Sequence, residues 1–130
     1  MKLNIKNETG RLKSVVLGQP KSMGGIPALN ESYDAKSYHS IEHNIYPKEE
    51  DIISEISAFE AVLKKYDVEV FRPAIIEGYN QVFARDVAFV IEDKMIISNV
   101  IKDRADEQEA YRKKKKKVEW RKIINLPESA

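Results

Sequence analysis

Residues 46–68, YPKEEDIISEISAFEAVLKKYDV, constrain the fold more than any other stretch. Ile52, Ile56, Phe59, Leu63 and Tyr66 recur at intervals of four, three, four and three, which places them on one face of a helix. Pro47 suits the first helical position, where its missing N–H costs nothing. Glu49, Glu50 and Asp51 fall in the first turn, and Lys64 and Lys65 in the last. Both placements complement the helix dipole. A helix with one apolar face must pack that face against another element.

The flanking segments predict that element to be a sheet. GRLKSVVLGQP reads as a strand over 12–17 ended by Gly18 and Pro20, and VEVFRP as a short strand closed by Pro73. Between the first strand and the helix, residues 19–46 are polar and show no period, which predicts a long loop. DVAFVI and KMIIS are two further apolar runs, separated by Glu92 and Asp93, as in an antiparallel hairpin. Their continuous apolar character predicts cover on both faces. Asp103 is placed to cap a second helix from Arg104, with Asp106 three residues on, and Val118–Leu126 reads as a last strand. The second half is then a ββαβ unit. The first half resembles another whose second strand is lost in the loop. Such a unit cannot bury both faces of its sheet alone and implies neighbouring copies, as in a propeller. The fold class is therefore α/β (α+β), with 1–73 as one unit and 74–130 as the next.

Charge and composition remove several function classes. The chain has no cysteine, so these 130 residues supply no disulfide, thiolate ligand or thiol nucleophile. No apolar run approaches the ~20 residues of a membrane helix, and the first residues lack the apolar core of a signal peptide. The expectation is a cytoplasmic protein with no membrane partner. Net charge is +1, but Arg112–Lys122 holds eight Lys/Arg and one Glu, so a basic stretch interrupts a mildly acidic body. The lysines 113–117 lack interleaved aromatics, so a solvated helix end competes with nucleic-acid binding and is the better reading. Lysines also stand near 114 and 115, where a helix continuing from Ala105 and Tyr111 needs apolar residues. That mismatch, with the sequence ending at Ala130, reads as a truncated or frame-damaged gene, or an incomplete sequence. His39 and His43 have the i, i+4 spacing of a metal pair if helical. They fall in the predicted loop with no evident third ligand, so a solvated or loop-packing role is expected and no metal site.

The stretch NQVFARDVAF, residues 80–89, places Arg85 and Asp86 at the mouth of a predicted buried strand. Burying an unpaired carboxylate is costly. Adjacent strand residues point to opposite faces, so Arg85 and Asp86 do not pair with each other. Asp86 then pairs with another arginine, caps a turn, or holds a cationic ligand. A planar guanidinium fits that last reading, because its paired donors match a carboxylate.

NQVFARDVAFVIEDKMIISNV, the block Arg104-x-x-Glu107-x-x-Ala110-Tyr111-Arg112, and the opening GRLKSVVLGQP together resemble the N-terminal part of the guanidino-group-modifying enzymes. That superfamily includes amidinotransferases, arginine deiminases and dimethylarginine dimethylaminohydrolases, and the Arg104 block looks closest to amidinotransferases. The resemblance implies a pentein-type α/β propeller of five ββαβ blades, of which this chain holds about two. It implies a small guanidino substrate such as arginine and no cofactor. It makes Asp86 the ligand for the substrate guanidinium, and places Asn80 where some relatives carry a second acidic residue. It gives Arg104 the substrate carboxylate, with an exposed helix-start arginine as the equally weighted alternative. Leu17 and Gly18 match a pocket-lining loop, and Tyr111 and Arg112 are assigned to packing and surface charge.

The implied chemistry is covalent. A cysteine thiolate attacks the guanidinium carbon, a histidine handles protons, and the amidino group passes to water or an amine. The family's histidine block follows a segment like Leu126-Pro127-Glu128, and the sequence ends just beyond it. No catalytic residue is therefore assigned in this chain, which is expected to be inactive alone. Two other expectations stand beside this one: a non-catalytic module that self-associates through open sheet edges, and, weakest, a basic-patch nucleic-acid binder.

Overall fold

A computed structural model describes residues 3–32, 34–112 and 123–125, and the lysines 113–117 lie outside them. The strands fall in two small sheets. Strands β1 (Ser14–Val16) and β2 (Glu69–Phe71) pair in parallel, with Val15 opposite Val70. Parallel neighbours need a crossover, and helix α2 (Glu49–Lys65) supplies it. Strands β3 (Ala88–Ile91) and β4 (Lys94–Ile97) form the expected hairpin, turned at Glu92 with φ of 53°. Strand β5 (Ile123–Asn125) adds in parallel to β4, so the order is β3-β4-β5. Neither sheet closes on itself among the described residues.

Local chemistry sets the ends of α2. Lys48 is its N-cap and makes no side-chain cap bond, so Pro47 lies before the cap and not at the first helical position. Glu49 instead reaches out of the first turn and accepts from the Ser22 and Met23 amides at 3.2 and 2.8 Å, tying the preceding loop to the helix. At the other end Asp67 adopts φ of 58°. The Val68 amide donates to Leu63 O at 3.0 Å and the Asp67 amide to Lys64 O at 3.0 Å. That is the Schellman closure, completed by the buried Val68 side chain.

The apolar face of α2 is only partly covered. Ile52, Ile56 and Leu63 are half-buried, while Phe59 and Tyr66 remain 50% and 67% exposed. A two-stranded sheet is narrower than the stripe the helix presents.

Three local expectations are corrected. The 19–46 segment is not all loop: a 3-10 turn at Leu29–Glu31 precedes helix α1 (Ala35–Glu42). Asp34 caps α1 by accepting from the Lys36 and Ser37 amides at 3.0 and 2.9 Å. No α1 residue is buried, so no apolar period marks it in the sequence. Phe83–Asp86 does not open a strand; Ala84–Val87 form one helical turn, α3, directly before β3. Asp103 does not cap a helix. It lies in a 3-10 turn, Lys102–Arg104, and helix α4 is Glu107–Arg112. Of the predicted last strand, Ile123–Asn125 is observed, and residues 118–122 and 126 lie outside the described residues.

Two apolar clusters hold these pieces. Leu3, Met95 and Ile97 pack with Ala88 and Val90 against the hairpin. Val87, Ala110 and Tyr111 form the other, joined by Val16, Ala74, Ile76 and Ala84. This second cluster joins β1 to α3 and α4, and so binds the two halves together. A bridge between Gln19 and Gln81 does the same through the backbone.

Candidate functional site

Asp86 sits on α3 with its side chain 53% exposed. Its carboxylate accepts from Arg104 Nη1 at 2.8 Å. The same guanidinium donates through Nε to Glu107 Oε1 at 2.7 Å and through Nη2 to Glu107 Oε2 at 3.1 Å. Glu107 is buried, and the Arg104 side chain is 16% exposed. The bidentate bond to Glu107 raises the Arg104 pKa most, and Asp86 raises it further against the cost of burial. Arg104 is thus a fixed cation between one buried and one half-exposed carboxylate. It is not the exposed helix-start arginine that its position allowed.

The inner pair is local: Arg104 ends the 3-10 turn and Glu107 begins α4 three residues on. Tyr111 follows one turn on and donates to Ala84 O at 3.3 Å, bracing α4 against α3. Burial first, then the Glu107 charge, pushes its phenol pKa up. Arg85 points away, 89% exposed, with Glu8 at 3.8 Å. Arg85 and Asp86 are therefore not paired with each other, as expected, although a helical turn separates them and not strand alternation.

The other sequence candidates converge on the segment leading into α3. Asn80 Oδ1 accepts from the Val82 amide at 3.2 Å, fixing the approach to the turn. Gly18 abuts that segment so closely that a Cβ there would lie 1.8 Å from Val82 O. The Leu17 amide donates to Phe71 O at 2.9 Å, and the Gly18 carbonyl accepts from Arg72 Nη1. The structure thus joins Asp86 directly to Arg104 and sets Gly18 beside the backbone between Asn80 and α3, while Leu17 is bonded to β2.

Two residues carry more of the site than sequence reasoning assigned. Buried Gln81 accepts from the Ile76 amide at 2.8 Å and donates to Ala74 O at 3.0 Å, fastening the loop under the turn. No pattern marks a buried glutamine. Glu107 was visible only as part of a motif; its three-residue spacing from Arg104 is the one signal by which the pair could have been found. A separate open cleft of about 300 Å³ lies beside Gly18, lined in part by Gln19, Lys21, Ile53, Glu60 and Arg72. It does not include Asp86 or Arg104. Glu60 bonds Lys64 and Arg72 at its edge, and the two together hold its carboxyl below the usual range.

No protein-family model matches the sequence, and no curated protein does. Solved structures do. An amidinotransferase from Microseira wollei in the saxitoxin biosynthetic pathway superposes with a TM-score of 0.67 at 20% identity, over 98% of this chain and 42% of that one. Inosamine-phosphate amidinotransferase from Streptomyces griseus gives 0.67 at 17% identity, over 98% of this chain and 43% of that one. The chain has an amidinotransferase-like fold of mixed helices and strands, and spans less than half the length of either enzyme. The resemblance read from FARD and the Arg104 block is matched at the level of fold. No helix among the described residues is long and apolar enough to cross a membrane.

Proposed function

We propose that the chain is part of an amidinotransferase-like enzyme and contributes Asp86 as the carboxylate that holds a substrate guanidinium. One observation carries this reading: Asp86 already binds a guanidinium, that of Arg104, and keeps about half its side-chain surface in solvent. A guanidino compound offers the same donors in the same plane. The two sheets are read as neighbouring units, 1–73 and 74–130, of a five-bladed propeller, with the rest of the site on blades outside this sequence. Transfer or hydrolysis of the amidino group needs a thiolate to attack the guanidinium carbon. The 130 residues contain none, so the chain alone is inactive. Its place in the reaction is orientation of the guanidinium for attack.

The test has two readouts. Purified chain incubated with arginine yields no citrulline, ornithine or amidino product, and turnover that survives stringent purification refutes the inactivity. Arginine added to isotope-labelled chain shifts the amide resonances of 83–87, and Asp86→Asn removes the shift. A folded chain with no shift at those residues refutes the role of Asp86.

A second reading, self-association, has its own support in the uncovered stripe Phe59, Val62 and Tyr66 on α2 and in the small open sheets. Light scattering that gives a monomer across a wide concentration range overturns it.

A further inference from the structure

We propose that His39, Glu42 and His43 form a binding site for a divalent transition-metal ion of the zinc class. The segment is helical, so residues four apart lie one turn apart on the same face. Asp34 starts α1 by capping two amides, and His43 ends it with its amide on His39 O at 3.0 Å. The two imidazole rings stand 4.0 Å apart, centre to centre, tilted by 40°. One donor atom from each of His39, Glu42 and His43 lies within 4.8 Å of the others. The missing third ligand of the sequence is therefore Glu42, the residue beside the second histidine.

The His43 ring is also oriented for the task. Its Nδ1 lies 2.9 Å from His39 O. A carbonyl oxygen only accepts, so in the neutral ring the proton sits on Nδ1 and Nε2 keeps its lone pair. A backbone carbonyl on one ring nitrogen is the usual outer support of a histidine that ligates through the other. Glu42, with an oxygen 3.8 Å from Nδ1, adds a negative charge beside the pair.

The donor set selects the ion. Two imidazole nitrogens and one carboxylate oxygen suit zinc, with water completing four positions, whereas magnesium and calcium favour all-oxygen cages. Ligand bonds of about 2.0–2.1 Å require the three donors to close inward. All three side chains are exposed, so rotation about their own bonds achieves this without moving the backbone. The spacing exists only in the folded helix, so the ion clips the last turn of α1 and opposes its fraying.

The test uses untagged chain in metal-free buffer, titrated with zinc chloride by calorimetry, with amide exchange read alongside. One zinc ion per chain is expected, no heat with magnesium, and slower exchange at residues 39–45. His39→Ala and His43→Ala each weaken binding by at least about tenfold, the loss that removing an outer support already causes, and each abolishes the slowed exchange. Glu42→Gln weakens it less. Both histidines are exposed, so the variants keep the parent's far-ultraviolet circular dichroism. Unchanged affinity in either histidine variant, or no zinc uptake by the parent, overturns the proposal.

Discussion

The two arms of Arg104 differ in what they are worth, and that difference can be measured. Glu107 is buried, with a side chain 4% exposed and both oxygens on the guanidinium. In Glu107→Gln an amide NH₂ replaces one acceptor and faces a donor on Arg104. Breaking a buried pair on one side costs about 3–5 kcal/mol. Asp86 is 53% exposed and makes a single bond at 2.8 Å to the same cation. Solvent screens that pair, so Asp86→Asn costs about 0–1 kcal/mol. Urea unfolding followed by circular dichroism separates them. With a slope of about 2 kcal/mol per molar, Glu107→Gln moves the midpoint down by about 2 M and Asp86→Asn by less than about 0.5 M. The double change Arg104→Met with Glu107→Leu removes both charges and recovers most of the loss, because no charge is left stranded. An Asp86→Asn midpoint as low as that of Glu107→Gln refutes the reasoning. Asp86 would then hold the fold together and not be reserved for a ligand.

Gly18→Ala sets a Cβ 1.8 Å from Val82 O and 2.7 Å from Gln81 O, and both are backbone atoms that cannot rotate aside. The loss is at least about 1–3 kcal/mol, seen as a lower melting temperature, and an unchanged melt refutes the close approach. The folded-state pKa of Glu60 is depressed, through Lys64 first and Arg72 second. Its contribution to stability is therefore present above the unfolded glutamate pKa of about 4.3 and lost as pH falls through the lower folded value. Glu60→Gln flattens the acid limb of a stability-versus-pH curve below about pH 4.3, and an acid limb identical to the parent's argues that other carboxylates carry it.

Elements with a periodic core face were legible in the sequence, and elements held by polar contacts were not. The hairpin and β2 were readable because Ala88–Ile91, Lys94–Ile97 and Glu69–Phe71 are apolar runs with turn residues beside them. Helix α1 left no such mark, since Asp34 and its own backbone hold it and nothing in it is buried. The FARD turn was misread as a strand mouth because Val87 and Ala88 continue the apolar run across the boundary between α3 and β3. The stripe on α2 was correct as a helical face and wrong in extent: Phe59 and Tyr66 fit the period, yet both stay at least half exposed. For the candidate site, the motif singled out Asp86 and Arg104, which the structure brings into contact. What it could not supply was their mutual contact, because an ion pair across eighteen residues depends on how the tertiary fold sets α3 against the 3-10 turn that carries Arg104.

Under the proposed function, that contact changes what a substrate must do. The resemblance gives Asp86 the guanidinium and Arg104 the carboxylate of one ligand, yet each now satisfies the other. Arg104 cannot leave, since its Nε and Nη2 are committed to Glu107. Only the bond from Nη1 to Asp86 is exchangeable, and it is the exposed one. A guanidino acid can replace it with two matched contacts, its guanidinium on Asp86 and its carboxylate on Nη1. A guanidino amine such as agmatine offers only the first and leaves Arg104 short of an acceptor. Charged hydrogen bonds of this kind are worth about 1.5–3 kcal/mol, so arginine should bind at least about tenfold more tightly than agmatine. Arg104→Met combined with Glu107→Leu, which strands no buried charge, should erase the difference, chiefly by tightening agmatine, which then has no Arg104 to displace from Asp86. Equal binding of the two ligands by the parent chain would mean that Arg104 stays on Asp86 and that the guanidinium is held elsewhere.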